Sequence, residues 1–209
     1  MAHPIELETE LRVALGGFGL EARTYFERQR IRGYIPDCIC PVGHIRVRLC
    51  RGGLYEPVEV DEPGHWAFVV PVRVLVMATA VRDVLTALPV PIRAGDEVVV
   101  EKLIDLCAWL PGQESKTYLR IGGAEVLGAA EITRHQWTDK PLHVHQTPLE
   151  WVRNKGHGCV VLYWPAVRML LGSVTMISVS SVAFRERIEK AMQPPKQLDV
   201  RLLPKTVAA

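Results

Sequence analysis

Apolar residues recur at two different spacings in the first third of the chain. Leucines repeat every four residues near the N-terminus, which predicts a helix over Ile5–Leu15 that ends at the glycine pair following it. The spacing then changes to two, which is typical of strands. It predicts five strands, which are Thr24–Ile31, Tyr34–Cys40, Ile45–Cys50, Leu54–Val60 and Trp66–Val70. We therefore expect an N-terminal helix followed by an antiparallel meander.

The spacing becomes helical again between Pro71 and Leu88, which predicts a second helix there. Pro89 and Pro91 end this helix and form the best linker in the chain. The division is then residues 1–90, a helix with an arginine-rich meander, and residues 91–209, an α/β region, although one continuous domain remains the alternative. The segment Asp96–Leu110 suits either a helix or, through its three consecutive valines, a strand.

The C-terminal region alternates strands with helices. The predicted elements are strands Leu142–Gln146, Gly158–Trp164, Ser173–Val179 and Leu198–Leu203, with helices Pro165–Leu171 and Ser181–Met192 between the last three strands. Ser180 or Ser181 is expected to cap the longer helix. A βαβαβ unit of this kind predicts parallel strands joined by right-handed crossovers. The expected fold class is mixed α/β.

Composition restricts the classes of protein that fit. The chain has 209 residues, 48% of them hydrophobic and 23% charged, and a net charge of +2. These values are typical of an ordered globular protein, and any polyanion site must come from local charge. The five cysteines are an odd number, which argues against a disulfide framework. The polar N-terminus and the interrupted apolar runs predict no signal peptide and no membrane span, so we expect a cytoplasmic protein.

Local positive charge is concentrated between Arg23 and Gly53, where seven arginines occur without a lysine. If the predicted strands are neighbours, five guanidinium groups line one side of a sheet, those of Arg28, Arg30, Arg32, Arg46 and Arg48. Guanidinium groups bind phosphates through two parallel hydrogen bonds, and nearby aromatic residues could stack on bases. The expected stacking residues are Tyr25, Phe26 and Tyr34. A solvated face neutralised by acids of the next hairpin, such as Glu59 and Glu62, is the alternative.

The order of short motifs in the first fifty residues is similar to the start of the very-short-patch-repair endonucleases and related PD-(D/E)XK nucleases. The matching motifs are Glu10-Leu-Arg-Val-Ala-Leu, Arg28-Gln29, Gly33-Tyr-Ile-Pro-Asp37 and the strand Ile45-Arg-Val-Arg. The resemblance implies that Asp37 is a metal-binding aspartate and Glu10 the acid of the helix, with a divalent cation as cofactor. The next strand reads Arg46-Val47-Arg48 where that family has an acid or a lysine facing the metal. The resemblance therefore implies a nuclease-like region, active or inactive, and the arginines predict that this region binds phosphates.

The histidines offer a separate candidate site. His143 and His145 lie on one face of a predicted strand, a spacing that suits metal binding, and His135 or His157 could add a ligand.

Three functions follow. The first is a nucleic-acid-associated protein that binds DNA or RNA, and is a nuclease if it is an enzyme. The second is a structural or adaptor subunit with a protein partner or a second copy of itself, since a complete catalytic set is missing from the sequence. The third is a metal-dependent hydrolase that uses the histidine pair.

Overall fold

The computed structural model describes residues 4–31, 40–79, 97–136 and 138–194, and it confirms the mixed α/β fold class. The helices are α1 (Pro4–Gly16), α2 (Leu20–Arg28), α3 (Ala129–His135), α4 (Pro148–Arg153), α5 (Val167–Leu171, after a 3₁₀ turn over Trp164–Ala166) and α6 (Val182–Met192). The strands are β1 (Gly43–Cys50), β2 (Leu54–Pro57), β3 (His65–Thr79), β4 (Glu97–Trp109), β5 (Tyr118–Leu119), β6 (Val126–Leu127), β7 (Leu142–His145), β8 (Cys159–Val161) and β9 (Ile177–Ser178). No helix within the described ranges is long and apolar enough to cross a membrane.

The first five strands form a closed barrel in the order β1-β2-β5-β4-β3. β1 pairs with β2 on one side and with β3 on the other, and the parallel contact between β2 and β5 closes the barrel. β3 and β4 form the longest hairpin, with a register irregularity between Val72 and Arg73. These two strands lie on either side of the proposed division at residue 90 and belong to the same barrel.

The last four strands form a second sheet in the order β6-β8-β7-β9. β7 runs parallel to both β8 and β9, while β6 is antiparallel to β8. The first two strands of the predicted βαβαβ unit, β8 and β9, are therefore not paired with each other, because β7 lies between them. Ser181 caps α6, because its side chain accepts a hydrogen bond from the backbone N–H of Phe184. The predicted strand Leu198–Leu203 lies outside the described residues.

Alternate residues of the barrel strands enter different apolar clusters. Val47, Ala67 and Val69 pack in a cluster with Leu7 and Leu11 of α1. On the opposite face of the same strands, α2 and α4 contribute to a cluster that contains Phe68, Val70 and Trp109. A third cluster joins the second sheet to α5 and α6, through Phe184 and Ile188 among others. Because side chains alternate between the two faces of a strand, the barrel strands supply both of the first two clusters.

Helix α1 lies directly against β1. A side chain at Gly43 would place its first carbon 2.5 Å from the Cβ of Ala14, well inside contact distance. Glycine is therefore required at this position for the helix to approach the strand so closely. The approach fixes the start of β1, which carries the arginines of interest.

Asp105 holds the loop that joins β5 to the second sheet. This side chain is completely buried, and one carboxylate oxygen accepts hydrogen bonds from the backbone N–H groups of Leu106 (2.8 Å), Arg120 (3.0 Å) and Ile121 (2.9 Å). The other oxygen accepts from Gly122 (2.9 Å) and Gly123 (3.1 Å). A buried carboxylate is costly unless it is well hydrogen-bonded, and this one has five backbone donors.

Three predicted elements are corrected. The segment Thr24–Ile31 is not a strand, since α2 runs through Arg28 and buries Ala22 and Phe26 four residues apart on one helical face. Pro71–Thr79 belongs to strand β3 rather than to a helix, because its valines pair along β4. The rest of that predicted helix lies outside the described residues. Residues 97–109 adopt the strand alternative as β4, and the strand predicted over Leu54–Val60 ends at Pro57.

Candidate nucleic-acid interface

The five arginines do not share one sheet face. Arg28 ends α2, and Arg30 follows it in a left-handed conformation with φ 60°, so both are exposed on a helix and its exit. Arg32 lies outside the described residues. Only Arg46 and Arg48 lie together on a strand, β1. The predicted face is therefore corrected to a two-arginine strand, because the alternation of Arg28 and Arg30 belongs to a helix end.

The aromatic residues expected beside the arginines are occupied elsewhere. Phe26 is 1% exposed and packs edge-on against Phe68. Tyr25 stacks on the same ring at 4.7 Å, and its hydroxyl donates a 2.6 Å hydrogen bond to Glu114. Burial, with that hydrogen bond and the charge of Glu114, raises the pKa of Tyr25. Both rings hold α2 on the barrel rather than facing solvent, and Tyr34 lies outside the described residues.

A different aromatic pair lies beside the β1 arginines. His44, Arg46 and Arg48 point to the face of β1 opposite the buried Val47. Antiparallel pairing places Arg46 directly across from Trp66 of β3. The ring of His44 stacks on Trp66, with the centroids 4.7 Å apart and the planes inclined by 19°. Trp66 is nevertheless 39% exposed, so one part of the indole faces His44 and another part faces solvent.

These side chains line an open cleft of about 380 Å³, which we call the Arg46 cleft. Its walls come from β1, the start of β3, the connection from β2 and the end of α1, and they include His44, Arg46, Val58, Glu59, Glu62, Trp66, Val13 and Val60. Gly64 lies against the stem of Arg46, where a side chain would approach its Cγ to 3.3 Å. The aliphatic stem of this arginine is therefore enclosed by its own barrel.

The two arginines of β1 differ in their hydrogen bonding. Arg48 donates a hydrogen bond of 2.7 Å to Glu62, and both side chains are about half exposed. The Nε of Arg46 is buried and has no hydrogen-bond partner among the described residues. His44 adds no positive charge at neutral pH, because burial lowers its pKa below the ordinary value. The cleft thus contains one guanidinium donor without an acceptor beside a partly exposed indole.

The residues implied by the nuclease resemblance do not form a described pair. Both carboxylate oxygens of Glu10 accept from the Nε of Arg120, at 3.0 and 2.9 Å, so this acid is engaged with a barrel arginine. Asp37 lies outside the described residues. Within the described ranges, no group of three or more His, Cys, Asp or Glu side chains is placed to hold a metal ion. The metal pair implied by the resemblance stays a prediction.

The histidine pair lies on one face of β7, as its alternation predicts, with ring centroids 4.4 Å apart. The Nδ1 of His143 lies 2.9 Å from the hydroxyl oxygen of Ser178 on the neighbouring strand. The Nε2 of His145 lies 2.9 Å from the backbone carbonyl oxygen of His157 and donates to it. One nitrogen of each ring is therefore used in contacts within the sheet and its loop, and metal binding by this pair remains a prediction.

Those contacts belong to a larger hydrogen-bond network at the start of β8. The backbone N–H of Gly158 donates to the buried carboxylate of Glu131 at 3.3 Å, and its carbonyl accepts from the indole N–H of Trp151 at 3.0 Å. Asn154 donates to the carbonyl of His157 at 3.1 Å. Side chains from α3, α4 and β7 thus fix two consecutive peptide groups, and this gives His145 a structural role.

Replacing Gly158 by alanine is expected to destabilise the fold by about 2–4 kcal/mol. Gly158 has φ 84°, and an added Cβ would lie 2.2 Å from the carbonyl oxygen of His143. The control is Gly112→Ala, where φ is 79° and nothing lies within 4 Å of the added atom. Chemical denaturation of both variants separates the steric clash from the backbone cost. Equal losses would show that the close approach to His143 carries no extra energy.

Sequence patterns did not identify Trp66 or Asp105 as important. Trp66 begins an apolar run and was expected to lie in a buried strand, yet its position at the strand start leaves it exposed. The sequence around Asp105 does carry a signal, because this residue is the single acid within the apolar segment Leu103–Trp109 of β4, and a buried acid must find several donors.

Comparison of the chain with protein-family models, with curated proteins and with solved structures finds no significant match.

Proposed function

We propose that this protein binds nucleic acid in the Arg46 cleft, with Arg46 donating to a phosphate. The single observation that supports this most is the buried Nε of Arg46, which has no acceptor among the described residues. A buried donor without a partner costs about 1–3 kcal/mol and calls for an explanation, and a ligand that moves the side chain and accepts from this Nε would supply one. A phosphate oxygen is a suitable acceptor, because the planar guanidinium donates to it through two parallel bonds.

The indole next to Arg46 narrows the choice of anion. Trp66 pairs across the strands with Arg46 and is 39% exposed. A nucleotide combines an anionic phosphate with a flat ring, and aromatic stacking supports such binding. An inorganic anion would use the guanidinium but would leave the indole without a contact. A nucleic acid therefore uses more of the cleft than a simple anion does.

The acids in the cleft limit how strongly salt affects binding. Glu62 is already paired with Arg48, and Glu59 is exposed on the same wall. Exposed ion pairs contribute little, so Arg48 can exchange Glu62 for a phosphate at small cost. At most two phosphates are then neutralised, by Arg46 and Arg48.

A salt series tests the proposal directly. We expect the logarithm of the association constant to fall against the logarithm of salt concentration with a slope between about −0.7 and −2, because each phosphate contact contributes roughly −0.7 to −0.9. A face of five arginines would instead give a slope of about −3.5 to −4.5. Fluorescence anisotropy of a labelled oligonucleotide measures the slope. Absence of binding at low salt, or no response to salt, would contradict the proposal and favour an adaptor role.

A further inference from the structure

We infer that the partner is single-stranded and that one unpaired base stacks on Trp66 while its phosphate contacts Arg46. This rests on the proposed nucleic-acid binding and specifies the substrate class of the same cleft. The observation behind it is that Trp66 stacks nearly parallel on His44 at 4.7 Å and is still 39% exposed.

The stack with His44 supports Trp66 on one side, while the residue is 39% exposed and lines the Arg46 cleft. His44 is itself 7% exposed and lies 5.0 Å from the ring of Phe68, so the histidine is held by the apolar cluster behind it. The pKa of His44 is lowered by burial, and the neutral ring stacks on the indole without adding charge. The exposed part of the indole lines the Arg46 cleft, and we infer that the ring of a ligand contacts it there.

A base inside a duplex cannot stack on this indole. Its two faces are covered by neighbouring bases, and it must leave the stack before it can lie on a protein side chain. The Arg46 cleft has a volume of about 380 Å³, which is in the range of sites for one small molecule. A single nucleotide fits a site of this size, whereas a base pair with its two backbones does not. The geometry therefore selects an unpaired nucleotide.

Phosphate and base are reached from adjacent positions. Arg46 and Trp66 are direct cross-strand neighbours, and side chains at such positions have their Cβ atoms about 4.5–5.5 Å apart. A nucleotide carries its base and its phosphate on opposite sides of one sugar, so a single nucleotide spans the two side chains. Binding through one nucleotide tolerates any sequence, since every base presents a flat ring.

The test compares a labelled single strand of twelve nucleotides with the same strand in a blunt-ended duplex with its complement, at one low salt concentration. We expect the single strand to bind about tenfold more tightly or better, the range that stacking of one base on an aromatic side chain provides. Trp66→Leu should remove most of that preference, and Trp66→Phe should retain it. Unfolding midpoints of both variants establish that the fold is intact.

The outcomes separate this inference from the proposed function. Equal binding of single strand and duplex by the wild-type protein would overturn the inference while nucleic-acid binding stands. A single-strand preference that survives Trp66→Leu would also overturn it, because the preference would then arise elsewhere. Absence of binding to both ligands would overturn both proposals. If Trp66→Leu fails to fold, equal binding of the two ligands by the wild-type protein still overturns the inference.

Discussion

Asp105→Asn is expected to lower the free energy of unfolding by about 3–5 kcal/mol. The asparagine has the same shape, but one carboxylate oxygen becomes an amide nitrogen. That oxygen accepts from the backbone N–H groups of Gly122 and Gly123, at 2.9 and 3.1 Å, so two backbone donors would face a third donor. Turning the amide over does not help, because the other oxygen serves three donors.

The loop held by Asp105 connects the barrel to the second sheet, so its loss affects the whole fold. For a protein of this size we expect the melting temperature to fall by about 6–20 °C. Asp139→Asn is the matched control, because Asp139 is exposed and the same change of charge there should have little effect. Thermal unfolding of both variants measures the difference. Equal melting temperatures would contradict the role assigned to the five hydrogen bonds.

In contrast to Asp105→Asn, Arg46→Met is expected to leave the fold as stable as the wild type or to stabilise it. The buried Nε of Arg46 has no acceptor among the described residues, so its removal deletes an unsatisfied donor while methionine replaces much of the aliphatic stem. We expect the free energy of unfolding to stay unchanged or to rise by as much as about 1–3 kcal/mol. Denaturant titration of the two proteins measures this difference. A loss above about 1 kcal/mol would show that the guanidinium stabilises the fold.

The same substitution is expected to weaken nucleic-acid binding about tenfold or more, the loss of one hydrogen bond to a charged group. A variant that keeps or gains stability but loses binding is typical of a residue retained for function. The comparison excludes unfolding as the cause of lost binding. It therefore separates a binding arginine from a structural one.

The C-terminal half could be predicted because its local signals agree. Strand and helix periods alternate there, and Ser181 is a strong cap that the α6 N-terminus uses. The position of β7 between β8 and β9 is not part of the predicted βαβαβ unit, although all three strands run parallel. The secondary structure of the N-terminal half is harder to predict from the sequence, because Arg28 and Arg30 alternate with other residues as polar side chains do along a strand. The burial of Ala22 and Phe26 on one face favours a helix there. That burial depends on tertiary packing against Phe68.

The candidate site could be predicted only in part. Arg46 and Arg48 were identified correctly as neighbours on one face of β1, because side chains alternate along a strand. Their partner Trp66 was not, because its position follows from the register between β1 and β3, which the sequence does not specify. That the Nε of Arg46 has no acceptor among the described residues depends on the tertiary structure around it, which local sequence patterns do not show.

The most direct test of binding in the Arg46 cleft is the affinity of three proteins for one labelled single-stranded oligonucleotide at low salt. They are the wild-type protein, Arg46→Met and Arg168→Met, the last being the same substitution at an exposed position of α5. We predict that Arg46→Met binds about tenfold more weakly than the wild type and that Arg168→Met binds as the wild type does. Equal affinities of Arg46→Met and Arg168→Met would contradict the assignment of the Arg46 cleft as the nucleic-acid site.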